Sequence, residues 1–366
     1  MNINTPEYWN NQWSKRPQRI YPYYAKIAEL CKGKKVLDFG CGRGDLLEML
    51  GENAEGIDIS SVGVGIARAR GLNVVIGNKP EGQYDIIVAT EVLEHLDDDK
   101  GMIERFFEHA PVIIYAVPNN CLGPEEEPEH QRKYTSAYIK SITPHLKRIF
   151  EIDGYFVVMA SKEEMPLAPS VLAAIPNEGQ ICAEMGFVVA RLANYRECET
   201  KIYMPQARPI DNNRNQIVKK FLEGTWDYLL MIDSDNPPKR NPLELVKLDK
   251  DVIACPTPQW NDEGGGYPLY FVAMDKVKEG YREHKEKRGL QEVDAIGAGC
   301  ILIARRVLEK VKAPFMRIWN EEGIADLGLD FNFCEKAKEQ GFKIWAHYDY
   351  PCSHYKTIDL LKVFNL

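Results

Sequence analysis

VLDFGCGRGD, residues 36–45, decides the fold. A short apolar strand runs into glycines at 40, 42 and 44, and DLLEML, 45–50, then starts a helix. Glycine lacks a Cβ, so a backbone rich in it can turn sharply and approach a ligand closely. The N-terminus of the following helix adds N–H groups without intrahelical partners. Strand, glycine turn and helix together read as the first unit of a nucleotide-type pocket. Taken alone the GxGxG spacing is a weak signal, because a tight structural turn would look the same.

The flanking sequence supplies what the turn lacks. AEGIDI (54–59) is a second strand ending in Asp58, twenty residues after Asp38. A carboxylate there can accept hydrogen bonds from both hydroxyls of a ribose. VGVGIARAR (62–70) is a helix, and LNVVIG (72–77), YDIIVAT (84–90) and APVIIYAVP (110–118) are further strands. Alternating strands and helices predict a parallel sheet covered on both faces. TSAYIKSITPHL (135–146) reads as a helix, and RIFEIDGYFVVMAS (148–161) as an antiparallel hairpin closing the sheet. The fingerprint of dinucleotide-binding proteins is GxGxxG, whereas this chain reads GCGRG.

DFGCGRG, GIDIS and YDIIVATEVLEHL together resemble class I methyltransferases dependent on S-adenosylmethionine, over roughly residues 5–160. The resemblance implies a Rossmann-like sheet with the cofactor held by Asp38, Gly40, Cys41, Gly42, Gly44, Asp58, Ile59, Asn78, Glu91 and Val92. Asn78 stands where the family often has Asp facing the adenine amino group. Asp38 could orient the glycine loop as well as approach the methionine end. AVPNNCLGPEEEPEHQRKYT (116–135) resembles the corresponding region of relatives that methylate hydroxyls. His130, with Glu129 beside it, is then the candidate proton acceptor; a histidine suits that task near neutral pH. A loop-ordering role for His130 and a capping or packing role for His95 are the plain alternatives. Tyr8, Trp9 and Trp13 either fold over the pocket or pack in the core.

The pattern restarts after SKEEMPLAP (161–169), a charged stretch with prolines. The expected organisation is a first domain at 1–160, a linker at 161–167 and a second α/β domain at 168–366. In the second half PSVLAAIP (169–176), TKIYMP (200–205), WDYLLMIDSD (226–235) and DVIACPTP (251–258) read as strands. GQICAEMGFVVARLANY (179–195), DNNRNQIVKKFLEGT (211–225) and LELVKL (243–248) read as helical. AIGAGCILIARRVLEKV (295–311) reads as one strand and a helix, NDEGGGYP (261–268) as a mobile loop, and REHKEKRG (282–289) as a solvated charged stretch.

Asp233 and Asp235 flank Ser234 at the end of an apolar strand, so alternation points both carboxylates to one side. Such a pair can hold Mg²⁺ or Mn²⁺ while phosphates complete the shell. With IPNEG (175–179), Arg214, VDAIGAGCILIARRVLE (293–309) and LGLDFNFCEKAKEQGFKIWAHYDYPCSH (327–354), the ensemble resembles glycosyltransferases of the A-type fold close to family 2, over about 168–356. The resemblance implies metal ligation by Asp233, Asp235 and His354, with His347 a local competitor. It implies substrate contacts from Pro176, Glu178, Arg214, Asp233, Gly297 and Gly299, and a nucleotide-diphosphate sugar as donor. Asp330 is the implied base, but the family's GED reads Gly328-Leu329-Asp330 here, and nearby Asp326 is a possible substitute.

The nine cysteines form no CxxC pair, which reads as reduced, mostly buried thiols rather than disulfides or a thiolate metal site. A net charge of −8 and a pI near 5.6 oppose a protein built to grip nucleic acid. No apolar run is long enough for a membrane span and the first residues carry no secretory pattern, so the expectation is a cytoplasmic protein. The function expected is a bifunctional enzyme that methylates and glycosylates a glycan or glycoconjugate. Two alternatives are the same chemistry on a modified base of viral-type DNA, and a glycosyltransferase carrying a non-catalytic docking module.

Overall fold

The computed structural model describes residues 3–119, 121–165, 167–177, 179–206, 209–260, 269–323 and 325–355. The chain divides into two compact units, Met1–Pro166 and Leu167–Leu366.

In the first unit α1 (Pro6–Lys15) and α2 (Tyr24–Leu30) precede β1 (Val36–Phe39). Then follow α3 (Leu47–Leu50), β2 (Ala54–Asp58), α4 (Ser61–Ala69), β3 (Val74–Ile76), β4 (Ile86–Thr90), α5 (Asp99–His109), β5 (Val112–Pro118), α6 (Ser136–Ile142), β6 (Leu146–Ile152) and β7 (Tyr155–Ser161). The sheet order is β3-β2-β1-β4-β5-β7-β6. Strands β1 to β5 pair in parallel, and the β6–β7 hairpin adds the antiparallel edge that the glycine at 154 makes possible. All four residues of β1 and all seven of β5 are buried, as strands covered on both faces require. Helix starts are fixed locally: Ser60 Oγ accepts from Gly63 N–H, Asp98 from Gly101 N–H, and Thr135 from Tyr138 N–H. The helix expected from DLLEML shrinks to the single turn of α3 and ends at Gly51, whose φ is +84°.

The second unit runs β8 (Ser170–Ala174), α7 (Ala183–Asn194), β9 (Glu199–Tyr203), α8 (Ile210–Glu223), β10 (Tyr228–Ile232), β11 (Val252–Ala254), β12 (Pro258–Trp260), β13 (Leu269–Phe271), β14 (Ala273–Val277), β15 (Gly280–Glu283), β16 (Leu290–Val293), β17 (Ala295–Ile296), β18 (Cys300–Ala304), α9 (Arg305–Lys310), β19 (Ile318–Trp319), β20 (Ala325–Leu327), α10 (Leu329–Glu339) and β21 (Ile344–His347). Its main sheet is mixed, in the order β16-β21-β11-β18-β10-β8-β9. β18 lies antiparallel between β10 and β11. Alternate residues of β10 feed two cores: Leu229 and Met231 face one, and Tyr228, Leu230 and Ile232 the other. Fully burying a leucine-sized side chain contributes roughly 1.5–3 kcal/mol, so this strand anchors both faces.

Three readings of the second half change. LELVKL is a 3-10 helix, Pro242–Leu248, rather than an α-helix. AIGAGCILIA is not one strand but β17 and β18 separated at 297–299, where the Ala298 N–H turns to a side chain rather than a strand partner. The charged stretch at 282–289 begins inside the β14–β15 hairpin. The loop expected at 261–268 lies outside the described residues.

Candidate functional site

In the first unit the glycine turn is tied to β2 from both sides. Gly40 N–H donates to Ile57 O at 2.8 Å, and Gly42 N–H donates to Asp58 Oδ2 at 2.8 Å. Asp58 Oδ1 accepts from Ser60 N–H at 2.7 Å. Asp58 thus fixes the loop before any ligand arrives, with lone pairs to spare on each oxygen. Burial raises its pKa, while the Ser60 and Gly42 amides act the other way.

A cavity of about 410 Å³ opens above this turn. Gly40, Asp58, Ile59, Asn78, Glu91 and Val92 line it. The remaining four positions expected at the cofactor sit elsewhere. Asp38 lies beneath the turn, 1 % exposed. Cys41 packs toward Gly56, and a Cβ on Gly44 would run into Leu72 and Ala67. Gly42, at φ +53°, lies under the Trp13 ring, where a Cβ would collide. Here the glycines serve close packing as much as ligand approach.

Three carboxylates carry buried oxygens without a hydrogen-bond partner among the described residues: Asp38 Oδ2, Glu91 Oε1 and both oxygens of Glu94. Burial, and then the neighbouring Asp58, pushes the pKa of Asp38 up to about 7. Burial pushes Glu91 to about 8 and raises Glu94 well above the carboxylate range. Glu91 also holds φ at +54°, a conformation that costs a non-glycine residue about 1 kcal/mol or more. Sites with such strain are over-represented around bound ligands.

Trp9 and Trp13 of α1 also line the cavity, although α1 buries no residue. Asn10 fastens this helix: its Oδ1 accepts from Ser60 Oγ at 2.7 Å and from Val62 N–H at 3.2 Å. Of the two roles open to these aromatics, the structure puts them over the pocket. The Trp9 ring meets His95 edge-on, 4.9 Å between centroids, and His95 meets His130 at 4.9 Å. Both histidines are buried, and burial lowers the His95 pKa to about 4.

The strand order with its antiparallel β7, the glycine turn and the match of residues 12–150 to a family described as Methyltransferase domain agree. The first unit is a class I methyltransferase domain. Among curated relatives, a "Probable S-adenosylmethionine-dependent methyltransferase" of Mycolicibacterium smegmatis is 28% identical over 150 residues, 36% of this chain and 57% of that one. The Ubiquinone biosynthesis O-methyltransferase of Cronobacter sakazakii is 32% identical over 117 residues, 26% of this chain and 48% of that one. This chain therefore spans about half the length of the curated relatives it matches. Among solved structures, A197 from STIV aligns at 20% identity and a TM-score of 0.37, over 51% of this chain and 86% of that one. The CcbJ methyltransferase from Streptomyces caelestis aligns at 15% identity and a TM-score of 0.34, over 42% and 94%. The methyltransferase domain's residues fit S-adenosylmethionine: a buried, unpartnered Asp38 oxygen suits a cationic ammonium, and Asp58 and Asn78 face the cavity as polar groups.

In the second unit residues from distant segments meet at one sheet edge. Arg214 of α8 is 4 % exposed and donates from Nη2 to both oxygens of Asp233, at 3.0 and 2.9 Å. Its Nη1 pairs with Asp330 of α10. The other Asp330 oxygen accepts from Ala298 N–H at 3.0 Å, and Asp233 N–H donates to Gly299 O at 2.8 Å. Asp235 lies beside His354, whose Nε2 is 3.5 Å from Asp235 Oδ2 and whose Nδ1 is 2.8 Å from Pro258 O. Pro176 follows β8, and the loop it opens is tied to the acidic turn by Cys182 N–H donating to Ser234 O at 3.2 Å. A Cβ on Gly297 would press on Val272 at 3.2 Å, and one on Gly299 would lie 2.7 Å from Thr257 Oγ1. His347, the competitor to His354, instead stacks edge-on against Tyr350. Glu178 and the side chain of Asp326 lie outside the described residues.

All nine cysteines are free, yet Cys255, Cys300 and Cys352 bring their sulfurs within 4.8 Å of one another. Sequence spacing gave no hint of that cluster, because it arises where the residue after β11, the first residue of β18 and the segment beyond β21 meet. The cluster of Glu94, His95 and His130 was missed for a similar reason: the loop after β5 folds back onto the turn after β4. Among the described residues no helix is long and apolar enough to cross a membrane.

Proposed function

We propose that the first domain transfers the methyl group of S-adenosylmethionine to a hydroxyl oxygen. The observation that carries this reading is the pinned glycine turn beside a cavity lined by Asp58, Asn78 and Glu91, with Asp38 Oδ2 unpartnered below it. The cofactor supplies a methyl group on a positively charged sulfur. Asp58 would receive the ribose hydroxyls, Gly40, Ile59, Asn78 and Val92 would enclose the adenosine, and Asp38 and Glu91 would face the cationic end. Trp9 and Trp13 would exclude water from the transfer, which depends mainly on in-line positioning. His130, packed edge-on against His95, would lie toward the acceptor. Calorimetric titration tests the reading: S-adenosylmethionine should bind, and Asp58→Ala should weaken it about 100-fold, since hydrogen bonds to a charged group contribute about 1.5–3 kcal/mol. Absence of binding by the unaltered protein would end it.

For the second domain we propose a glycosyltransferase that takes a nucleotide-diphosphate sugar with Mn²⁺ or Mg²⁺. The convergence of Asp233, Asp235, Arg214, Asp330 and His354 at one sheet edge supports that reading. Asp235 and His354 would be the first ligands to a metal, because Asp233 is engaged by Arg214. Asp330 would accept the acceptor's proton after releasing Ala298 N–H. The methyl and sugar acceptor would be a glycan or glycoconjugate. Nucleotide diphosphates should bind only with Mn²⁺ present, and Asp235→Ala should abolish that binding. Metal-independent binding, or none, would remove the glycosyltransferase reading while leaving the first domain's intact.

A further inference from the structure

Beside the cofactor cavity the methyltransferase domain holds a second set of polar groups that methyl transfer by positioning alone does not use. Glu94 and His95 lie in the 3-10 turn Leu93–His95 after β4, and His130 comes from the loop between β5 and α6. Glu94 is 0 % exposed, His95 8 % and His130 7 %. One ligand-capable atom from each lies within 4.8 Å of those of the other two.

Two details separate this cluster from ordinary packing. Neither carboxylate oxygen of Glu94 has a hydrogen-bond partner among the described residues, although a buried polar atom is almost always satisfied. The two imidazoles are also oriented alike. His95 Nδ1 is 3.1 Å from Glu129 O, and His130 Nδ1 is 3.2 Å from Leu122 O. A carbonyl oxygen only accepts, so each Nδ1 carries the proton and each Nε2 keeps its lone pair. Protein metal centres fix their histidines in this way, one ring nitrogen donating to a carbonyl and the other free to ligate. Gln131 N–H, donating to Glu94 O at 2.6 Å, ties the two segments at the same place.

We infer that Glu94, His95 and His130 form a binding site for a divalent first-row metal ion. Two imidazoles and a carboxylate are a nitrogen–oxygen set suited to Mn²⁺, Fe²⁺, Co²⁺ or Zn²⁺, with coordination positions left open. Of the three, His95 lines the cofactor cavity, so the ion would lie at the wall of that cavity. Resting on the reading of this domain as a hydroxyl methyltransferase, the ion would receive the acceptor's hydroxyl and make its proton easier to lose. That proton passes to water, the oxygen's lone pair forms the new O–CH₃ bond, and the S–CH₃ bond breaks with its electron pair left on sulfur. His130 is then a ligand, not a free base.

The full-length protein, stripped with EDTA, is titrated with Co²⁺ alone while its visible absorption is followed. Glu94→Gln and His130→Ala are compared with the unaltered protein, and S-adenosylmethionine binding is measured on all three without metal. The expected result is a saturable Co²⁺ spectrum with nitrogen ligation. Both variants should weaken it at least about 100-fold, more than the loss of an outer-sphere partner, while still binding S-adenosylmethionine. Because His130 sits on a loop, its variant keeps the test valid if Glu94→Gln fails to fold. A Co²⁺ spectrum unchanged in a folded variant, or no spectrum in the unaltered protein, overturns the metal site. Co²⁺ binding without S-adenosylmethionine binding would instead sink the methyltransferase reading and leave the site standing.

Discussion

In the methyltransferase domain Asp38, Glu91 and Glu94 each keep a buried carboxylate oxygen without a partner among the described residues, whereas in the second domain Arg214 holds Asp233 and Asp330 in one ion-paired group. Both domains gather acidic groups at the ends of parallel strands, where an open α/β sheet leaves a crevice. They settle the electrostatic cost differently. The first suppresses charge by burial and leaves oxygens unpartnered, with Glu91 alone of the three lining the cavity. The second neutralises its carboxylates internally, so a ligand there must compete with a guanidinium already in place. An unpartnered buried acid therefore points to a missing ligand more directly than a paired one.

Removing Arg214 should break the contrast most severely. Arg214→Ala leaves two carboxylates facing each other in a largely enclosed place. Taking one partner from a buried pair costs 3–5 kcal/mol, and the partial exposure of both aspartates brings the expectation to about 3 kcal/mol. Urea denaturation should show the transition of the second domain shifted to lower denaturant and that of the first unmoved. Arg214→Lys should recover only part of the loss, since a single ammonium cannot serve both carboxylates with a planar fork. A variant as stable as the unaltered protein would mean that the ion-paired group adds nothing.

How far this difference was readable from sequence depends on distance along the chain. The glycine turn, Asp58 and the parallel strands were legible because strand–turn–helix units are local and their glycine positions follow from backbone sterics. Strand alternation does not apply to Asp233 and Asp235, because β10 ends at Ile232 and both aspartates lie in the turn that follows. The two were legible as candidates from their place after an apolar strand, and Arg214 on the preceding helix. That Arg214 bridges Asp233 to Asp330 was not, because α10 joins the chain almost a hundred residues after the strand that it meets. The clusters of Glu94 with His130 and of Cys255 with Cys300 and Cys352 were invisible for the same reason. The short 3-10 turn at Pro242–Leu248 and the break between β17 and β18 depend on tertiary hydrogen bonds that override local preference.

Asp38 offers a finer test of the first domain's strategy. Its folded pKa of about 7 stands above the ordinary carboxylate value. The folded state therefore holds a proton that the unfolded chain has already released, and stability falls as pH rises from about 4 through 7. Between pH 5 and pH 8 the domain should lose about 2 kcal/mol relative to Asp38→Asn, which keeps the shape without the charge. Saturating S-adenosylmethionine should flatten the slope in the unaltered protein, because its ammonium would stabilise the ionised acid. Parallel pH profiles for the two proteins would show Asp38 to be already compensated, and the contrast with the second domain would weaken.

The smallest effect is expected at the lid. α1 buries no side chain, and its hydrogen bonds to α4 run through Asn10 Oδ1, which accepts from Ser60 Oγ, Ser61 Oγ and Val62 N–H. Asn10→Ala removes all three bonds, at about 1 kcal/mol, without touching the cavity wall. A helix held this weakly opens locally before the domain unfolds. Amide exchange over residues 6–15 should therefore quicken about fivefold, while exchange in β1 and β5 stays as it was. If Trp9 and Trp13 close over a bound ligand, the same variant should release S-adenosylmethionine a few times faster with little change in its rate of entry. Faster exchange with unchanged release would make α1 a loosely attached cover that the ligand does not need to pass.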